Sequence, residues 1–406
     1  MGKNRARSNV SDLMRDKVSS WLAVASLAFS AFVFNTTEMA PVGLLTAIGN
    51  SFDMSAASTG YIVTIYAWTV AVLSLPLTVW TAKLDRKKLL IALFCVFIVS
   101  HLIIGAAQSF WVLAIGRIGV ACAHAIFWSI AAPLAVRVAP EGSKSKALGA
   151  LVTGSSLAMV MGVPLGTLIG KAFGWRVTFF LIAFGAALAL LALIKALPNT
   201  PSKNAGNFKS LPFLLTRSSV VWIYVLTAVI ITGDFSAYTY FSAFFESKNY
   251  ESSDIVWLLF AMGGAGFIGA FFFGLWGDRF ANAILIVPLG LTSVALALLE
   301  PSASNFYAAF ILCLAWGTLC VMVFMSMQSR LLSAAKDATD VANSIYSGIF
   351  NVGIGGGAFV GSIVLRYAGI DHIGYVSSAI FAFGFALCAI YLTHSRRKRR
   401  IADRAM

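Results

Sequence analysis

Twelve apolar runs, each close to the ~20 residues needed to cross about 30 Å of hydrocarbon, succeed one another along this chain. The breaks between them are short and marked by charge, proline and glycine. They place spans near 20–47, 57–81, 89–107, 110–137, 147–171 and 174–197, then near 219–245, 255–276, 283–300, 305–330, 340–366 and 373–394. Hydrocarbon offers no partner to a backbone N–H or C=O, so each run must satisfy its own polar groups, which a helix does. An all-α membrane bundle follows. Composition agrees: 59% of the 406 residues are hydrophobic and 11% charged, against about a quarter charged in soluble domains. The first run (21–45) is too long for the apolar region of a signal peptide and reads as a retained span.

The longest internal polar stretch, PNTPSKNAGNFKSLPFLLTR at 198–217, falls between the sixth and seventh runs. We therefore expect an N-terminal tail (1–19), a six-helix half (20–197), a linker (198–218), a second six-helix half (219–394) and a basic tail (395–406). The net charge of +14 sits in clusters between the apolar runs. With alternating spans, only Lys171, Arg176, Lys248 and Arg366 fall on one side, and Arg117 lies inside a span; the other cations share the opposite side. The positive-inside rule then puts both termini in the cytoplasm and requires an even number of spans. No basic stripe interleaved with aromatics suggests nucleic acid. The five cysteines are scattered through apolar runs without a CxxC pair, so neither a metal site nor a disulfide framework is expected.

The halves echo each other. MGVPLGTLIG (161–170) in the fifth span has a counterpart in NVGIGGGAFVG (351–361) in the eleventh, and KLDRKK (83–88) in GLWGDRF (274–280). Repeated halves are a common build for secondary transporters. No Walker A sequence is present, so an ion or solute gradient must drive any transport and no cofactor is expected. GAGFIG (264–269) matches GxGxxG literally, but it lies inside an apolar span, where small residues serve helix packing.

A charge at mid-membrane costs at least ~2.5 kcal/mol and needs a reason. Glu38, in FNTTEMAP of the first span, and Arg117, in IGRIGVACAHAIFW of the fourth, lie at similar depths of about 15 and about 10 Å. They read either as a protonatable carboxylate tuned by a cation or as a static buried pair. His124 lies two turns below Arg117 on the same face and could relay a proton or simply hydrogen-bond in the wall. His101, alone among Ile, Val and Leu, reads as a satisfied core residue. Asp234 in the seventh span could bind substrate, carry a second proton or pack helices. Asn35 and Asn351 suit hydroxyl ligands or interhelical bonds, and Tyr66, Trp68, Trp128, Tyr238 and Tyr240 could stack on a ring or pack against neighbours.

These residues resemble the major facilitator superfamily over about 20–395, and within it the twelve-span drug:proton antiporter branch. The segment from Gly154 through Gly162, Pro164 and Gly166 looks like that branch's antiporter motif, which implies packing against span eight. Arg117 takes the place of the superfamily's span-four arginine. Gly274, Asp278 and Arg279 match the second copy of its cytoplasmic loop motif; in the first copy Thr78 and Ala82 replace the glycine and aspartate, leaving Asp85 and Arg86. Those loop charges are implied to latch the cytoplasmic side. FNTTEMAPVGLL, TIYAWTVAVLSLPL, RIGVACAHAIFWSIAAPLAVR and DATDVANSIYSGIFNVGIGGGAFVG are similar to bacterial sugar efflux transporters.

The resemblance implies proton-coupled export of arabinose-like sugars and galactoside analogues, and we expect a monomer in the bacterial inner membrane. Spans one, four, seven and ten would line a cavity between the halves. Glu38 would carry the proton, assisted by Arg117 and His124, with Asn35, Tyr66, Trp128, Asp234, Tyr238 and Asn351 as substrate contacts. A multidrug exporter of the same fold, or a membrane sensor without transport, are the competing expectations.

Overall fold

The computed structural model describes residues 2–201, 211–277, 279–337 and 339–405. Side chains are described for 18–144, 146–201, 214–277, 279–337 and 341–393. Among these residues the regular structure is entirely helical. In chain order the helices are α1 Val18–Asn50, α2 Ala56–Thr81, α3 Arg86–Gly105, α4 Phe110–Val138, α5 Lys146–Phe173, α6 Trp175–Ala196, α7 Ser218–Ser247, α8 Ser252–Trp276, α9 Ala283–Ala297, α10 Phe306–Ala334, α11 Val341–Tyr367 and α12 Ile370–Thr393. Eleven are long and apolar enough to cross a membrane; α9 is the shorter one. The helices bearing α1 and α12 run on as Gly2–Asn50 and Ile373–Ala405. Residues 202–210 of the linker expected at 198–218 lie outside the described residues.

The ninth expected span, 283–300, is not continuous. It stops at Ala297 and resumes as a short helix, Leu299–Ser302. Pro301 has no N–H to give the Ala297 carbonyl four residues back, and Leu298 between the two pieces adopts φ −89°, ψ 1°.

The surface is unlike that of a soluble protein, although the core is also apolar. Val72, Phe184, Phe271 and Ile311 are exposed, whereas His101, Arg117, Asp234 and Asn351 are buried. Apolar side chains covering the outside and polar ones held within are what a lipid solvent selects.

The two sequence halves also repeat in backbone detail. Gly174 joins α5 to α6 at φ +91°, and Gly369 joins α11 to α12 at φ +92°, a conformation that L side chains seldom adopt. Among the described residues, Asp53 after α1 and Asn249 after α7 are the non-glycine residues with positive φ, at 54° and 64°. Ser109 caps α4 as Asn305 caps α10.

Packing groups the chain into two compact units, 1–40 with 76–206 and 41–75 with 207–406. Their boundaries in α1 and α2 fall at Pro41 and Pro76, both inside helices. In the first unit α3 packs on α4 and α6, and α4 on α5. In the second, α7 packs on α11 and α12, α8 on α10, and α9 on α10 and α12. There Gly269, from the GAGFIG segment, lets α8 approach α10 until an added Cβ would strike the Thr318 carbonyl. α5 widens into a π turn at Ala158–Gly162, just ahead of Pro164, whose ring and missing N–H disfavour an ordinary α turn.

Candidate functional site

Pro41 lies in the interior of α1 and lacks the N–H that would bond the carbonyl of Thr37. Arg117 of α4, fully buried, donates from Nη1 to that carbonyl at 2.8 Å. The Thr37 hydroxyl lies 2.7 Å from Nε2 of His101 on α3, and His101 Nδ1 lies 2.7 Å from the Phe97 carbonyl. A carbonyl only accepts, so Nδ1 carries the hydrogen; the neutral ring then accepts the Thr37 hydroxyl at Nε2.

One residue on, Glu38 Oε2 stands 3.7 Å from His124 Nε2, with side chains 10% and 5% exposed respectively. Arg117 lies within electrostatic reach of Glu38 as well. Aromatic rings pack beside it: Phe34 stacks on Phe127 at 4.2 Å between ring centres and lies 4.3 Å from Phe97. Trp128 is 6.1 Å from His124, ring to ring. The first unit thus gathers a carboxylate, two imidazoles and a guanidinium around two consecutive residues of α1. Such a cluster can bind and release a proton inside the membrane.

Asn35 bonds a neighbouring helix. Its amide donates to the hydroxyl of Ser155 on α5. Beside it, an added Cβ on Gly154 would collide with the Ala28 carbonyl and one on Gly162 with the Thr36 hydroxyl, so the two motif glycines press α5 onto α1. Span eight was the implied partner; these two positions face span one. Pro164 is buried, and the Gly166 carbonyl accepts the Thr178 hydroxyl at 3.0 Å.

The other candidates belong to the second unit. Asp234 Oδ1 accepts Trp316 Nε1 at 2.8 Å and the Cys320 thiol at 3.3 Å, both from α10. Tyr238, one turn on, meets Trp316 edge-on at 6.4 Å. Asn351 is buried; its Nδ2 donates to the Ser347 carbonyl at 3.0 Å, while Oδ1 accepts no hydrogen bond. Tyr66 is buried on α2. Trp68 and Tyr240 instead tie helices together, donating to the α11 carbonyls of Val352 at 3.3 Å and Ala358 at 2.8 Å.

The loop charges of the first unit hold the segment that leaves α6. Asp85 caps α3 through Lys88 N–H and accepts Thr200 N–H at 3.1 Å, while Arg86 N–H donates to the Thr200 carbonyl at 2.9 Å. Lys87 and Arg137 bond the carbonyls of Leu197 and Pro201, both at 2.6 Å. In the second copy Gly274 has open space beside it and Arg279 lies over the Phe280 ring at 5.2 Å; Asp278 lies outside the described residues.

Thr37, Trp316 and Cys320 were not singled out from the sequence. Thr37 could have been found: it stands four residues before Pro41, where a carbonyl must seek another donor. Nothing in the local sequence of α10 marks Trp316 or Cys320 as partners of Asp234.

The sequence profile of the Major Facilitator Superfamily matches residues 27–340. Among solved structures, the fold is similar to that of a bacterial homologue of the human lysosomal transporter Spinster, in an inward-facing and unoccupied conformation. The TM-score is 0.75 at 14% identity, covering 92% of this chain and 98% of that one. The chain belongs to the Major Facilitator Superfamily and has the fold of a secondary transporter.

Proposed function

We propose that the protein is a proton-coupled exporter of small sugars, working by alternating access as a monomer in a bacterial inner membrane with both termini cytoplasmic. The observation that carries proton coupling is Glu38, a carboxylate nine-tenths buried within a membrane-spanning helix and 3.7 Å from His124. Proton uptake and release there supplies the energy, and no cofactor is needed. Sugar as the substrate rests on the four long strings that are similar to bacterial sugar efflux transporters, and on the hydrogen-bonding groups Asp234, Tyr238 and Asn351 of the second unit. A sugar presents hydroxyls to such groups and an apolar face to an aromatic ring. A lipophilic cation would ask chiefly for aromatic surface and one carboxylate.

The test is counterflow in proteoliposomes, with labelled pentoses, galactosides and planar cationic dyes compared with and without an imposed proton gradient. Sugar exchange that becomes concentrative with the gradient is the expected result. Dye flux without sugar flux would replace the substrate class, and ligand binding without flux of either would make the protein a sensor.

A further inference from the structure

Hydroxyls on these helices mostly bond back to their own helix. On α1, Ser26 donates to the Leu22 carbonyl and Ser30 to the Ser26 carbonyl, each at 2.7 Å; on α2, Thr69 does the same with Ile65. Thr37 departs from this habit. Its hydroxyl reaches across to His101 on α3, while its carbonyl is taken by Arg117 of α4. The turn of α1 that carries Glu38 is therefore pinned from two neighbouring helices, at the point where Pro41 has removed one of its own bonds.

His101 is built to hold still. It is fully buried, its Nδ1 is committed to the Phe97 carbonyl, and its ring lies 4.1 Å from that of Phe97 and 6.1 Å from that of Phe179. A ring fixed in tautomer and orientation sets the position of the hydroxyl that bonds it, much as an outer partner orients a metal ligand. The groups facing this turn of α1 are His124 and Arg117 from α4 and His101 from α3; α5 brings Gly162 against Thr36. We propose that His101 is a positioning residue for the Glu38 proton site, acting through the Thr37 hydroxyl to hold Glu38 against His124. This rests on the reading of Glu38 as the proton carrier.

The test needs no substrate. In lipid nanodiscs, the infrared carboxyl band that disappears in Glu38→Gln is titrated with pH. Thr37→Val, which keeps shape and loses the hydroxyl, is expected to move its midpoint by about 0.5 pH unit or more, while Thr37→Ser leaves it in place. His101→Phe, which fills the aromatic site without an acceptor, should move it as Thr37→Val does, and carries the comparison if Thr37→Val does not fold. A band that titrates at the parent midpoint in the folded variants overturns the positioning role alone. Absence of any titrating band assignable to Glu38 overturns the proton-site reading and this inference with it.

Discussion

Arg117 makes for Thr37 the hydrogen bond that Pro41 cannot. The guanidinium of α4 donates to the Thr37 carbonyl at 2.8 Å, and the residue that should have bonded that carbonyl within α1 is a proline. A buried carbonyl left without a donor costs about 1–3 kcal/mol, so the arginine is a structural partner of α1 before it acts on any proton.

Removing the donor while keeping bulk tests this. Arg117→Met should destabilise the folded protein by about 1–3 kcal/mol, read as thermal unfolding in detergent. Pro41→Ala restores a backbone N–H to the same carbonyl, so it should recover much of that loss in the Arg117→Met background and have little effect alone. Additive effects in this double-mutant cycle would refute the relationship.

Glu38→Gln removes the ionisable group while keeping its shape. Proton-driven accumulation should be lost, and exchange of the same substrate at equal pH on both sides should persist. Efflux against a gradient at the parent rate in this variant would move the proton site elsewhere.

The helices and the buried polar cluster at Glu38 were legible to different degrees, for physical reasons. Span ends came out within a few residues because lipid imposes one length and charge marks the breaks; α9 departs because Pro301 interrupts it. Glu38, Arg117 and His124 could be singled out because charge and imidazole are rare in apolar helices, and the geometry brings them to one turn of α1. His101 reads from sequence as a satisfied core residue, and both its ring nitrogens are hydrogen-bonded; that Thr37 is its partner is a fact of tertiary packing no local pattern encodes. Of the two readings open for Asn35, hydroxyl ligand or interhelical bond, the structure shows an interhelical bond, whose partner Ser155 lies 120 residues away and so is invisible to local pattern.

Two glycines of α5 separate close packing from mere helix propensity. Gly154 has no room for a methyl beside the Ala28 carbonyl, whereas Gly149 has open space. Gly154→Ala should therefore destabilise by about 1–3 kcal/mol through forced separation of α1 and α5. Gly149→Ala should be neutral or stabilising by up to about 1 kcal/mol, since alanine is the better helix former. Equal unfolding temperatures for the two variants would contradict the packing described.

Outside the membrane, Arg217 grips Asp337 with two bonds of 2.7 Å and holds its carboxyl below the ordinary value of 3.8. A depressed native value means the contribution to stability is present above the unfolded value and fades as pH falls through the native one. The unfolding temperature of Asp337→Asn should thus fall short of the parent's at neutral pH, and the gap should close in acid below about pH 4. High salt should narrow it as well, because the pair is exposed. A gap unchanged by acid would mean the carboxylate charge contributes nothing there.

Asn351 offers the sharpest division between substrate classes. Its amide hydrogen is committed to the Ser347 carbonyl one turn back, which fixes the side chain, and its buried Oδ1 accepts nothing. An acceptor held in place and unused suits a hydroxyl donor, which a sugar has in abundance and a lipophilic cation lacks. Asn351→Ala would leave one sugar hydroxyl unpaired on binding and should weaken sugar affinity by about 1–3 kcal/mol, roughly tenfold to a hundredfold. Binding of planar cationic dyes, which depends on aromatic contact and a carboxylate, should change little. Both can be read from one titration series on the purified variant, with a labelled galactoside and a fluorescent dye as ligands. If dye affinity falls while sugar affinity holds, the second unit is built for cations, and the multidrug reading takes the place of sugar export.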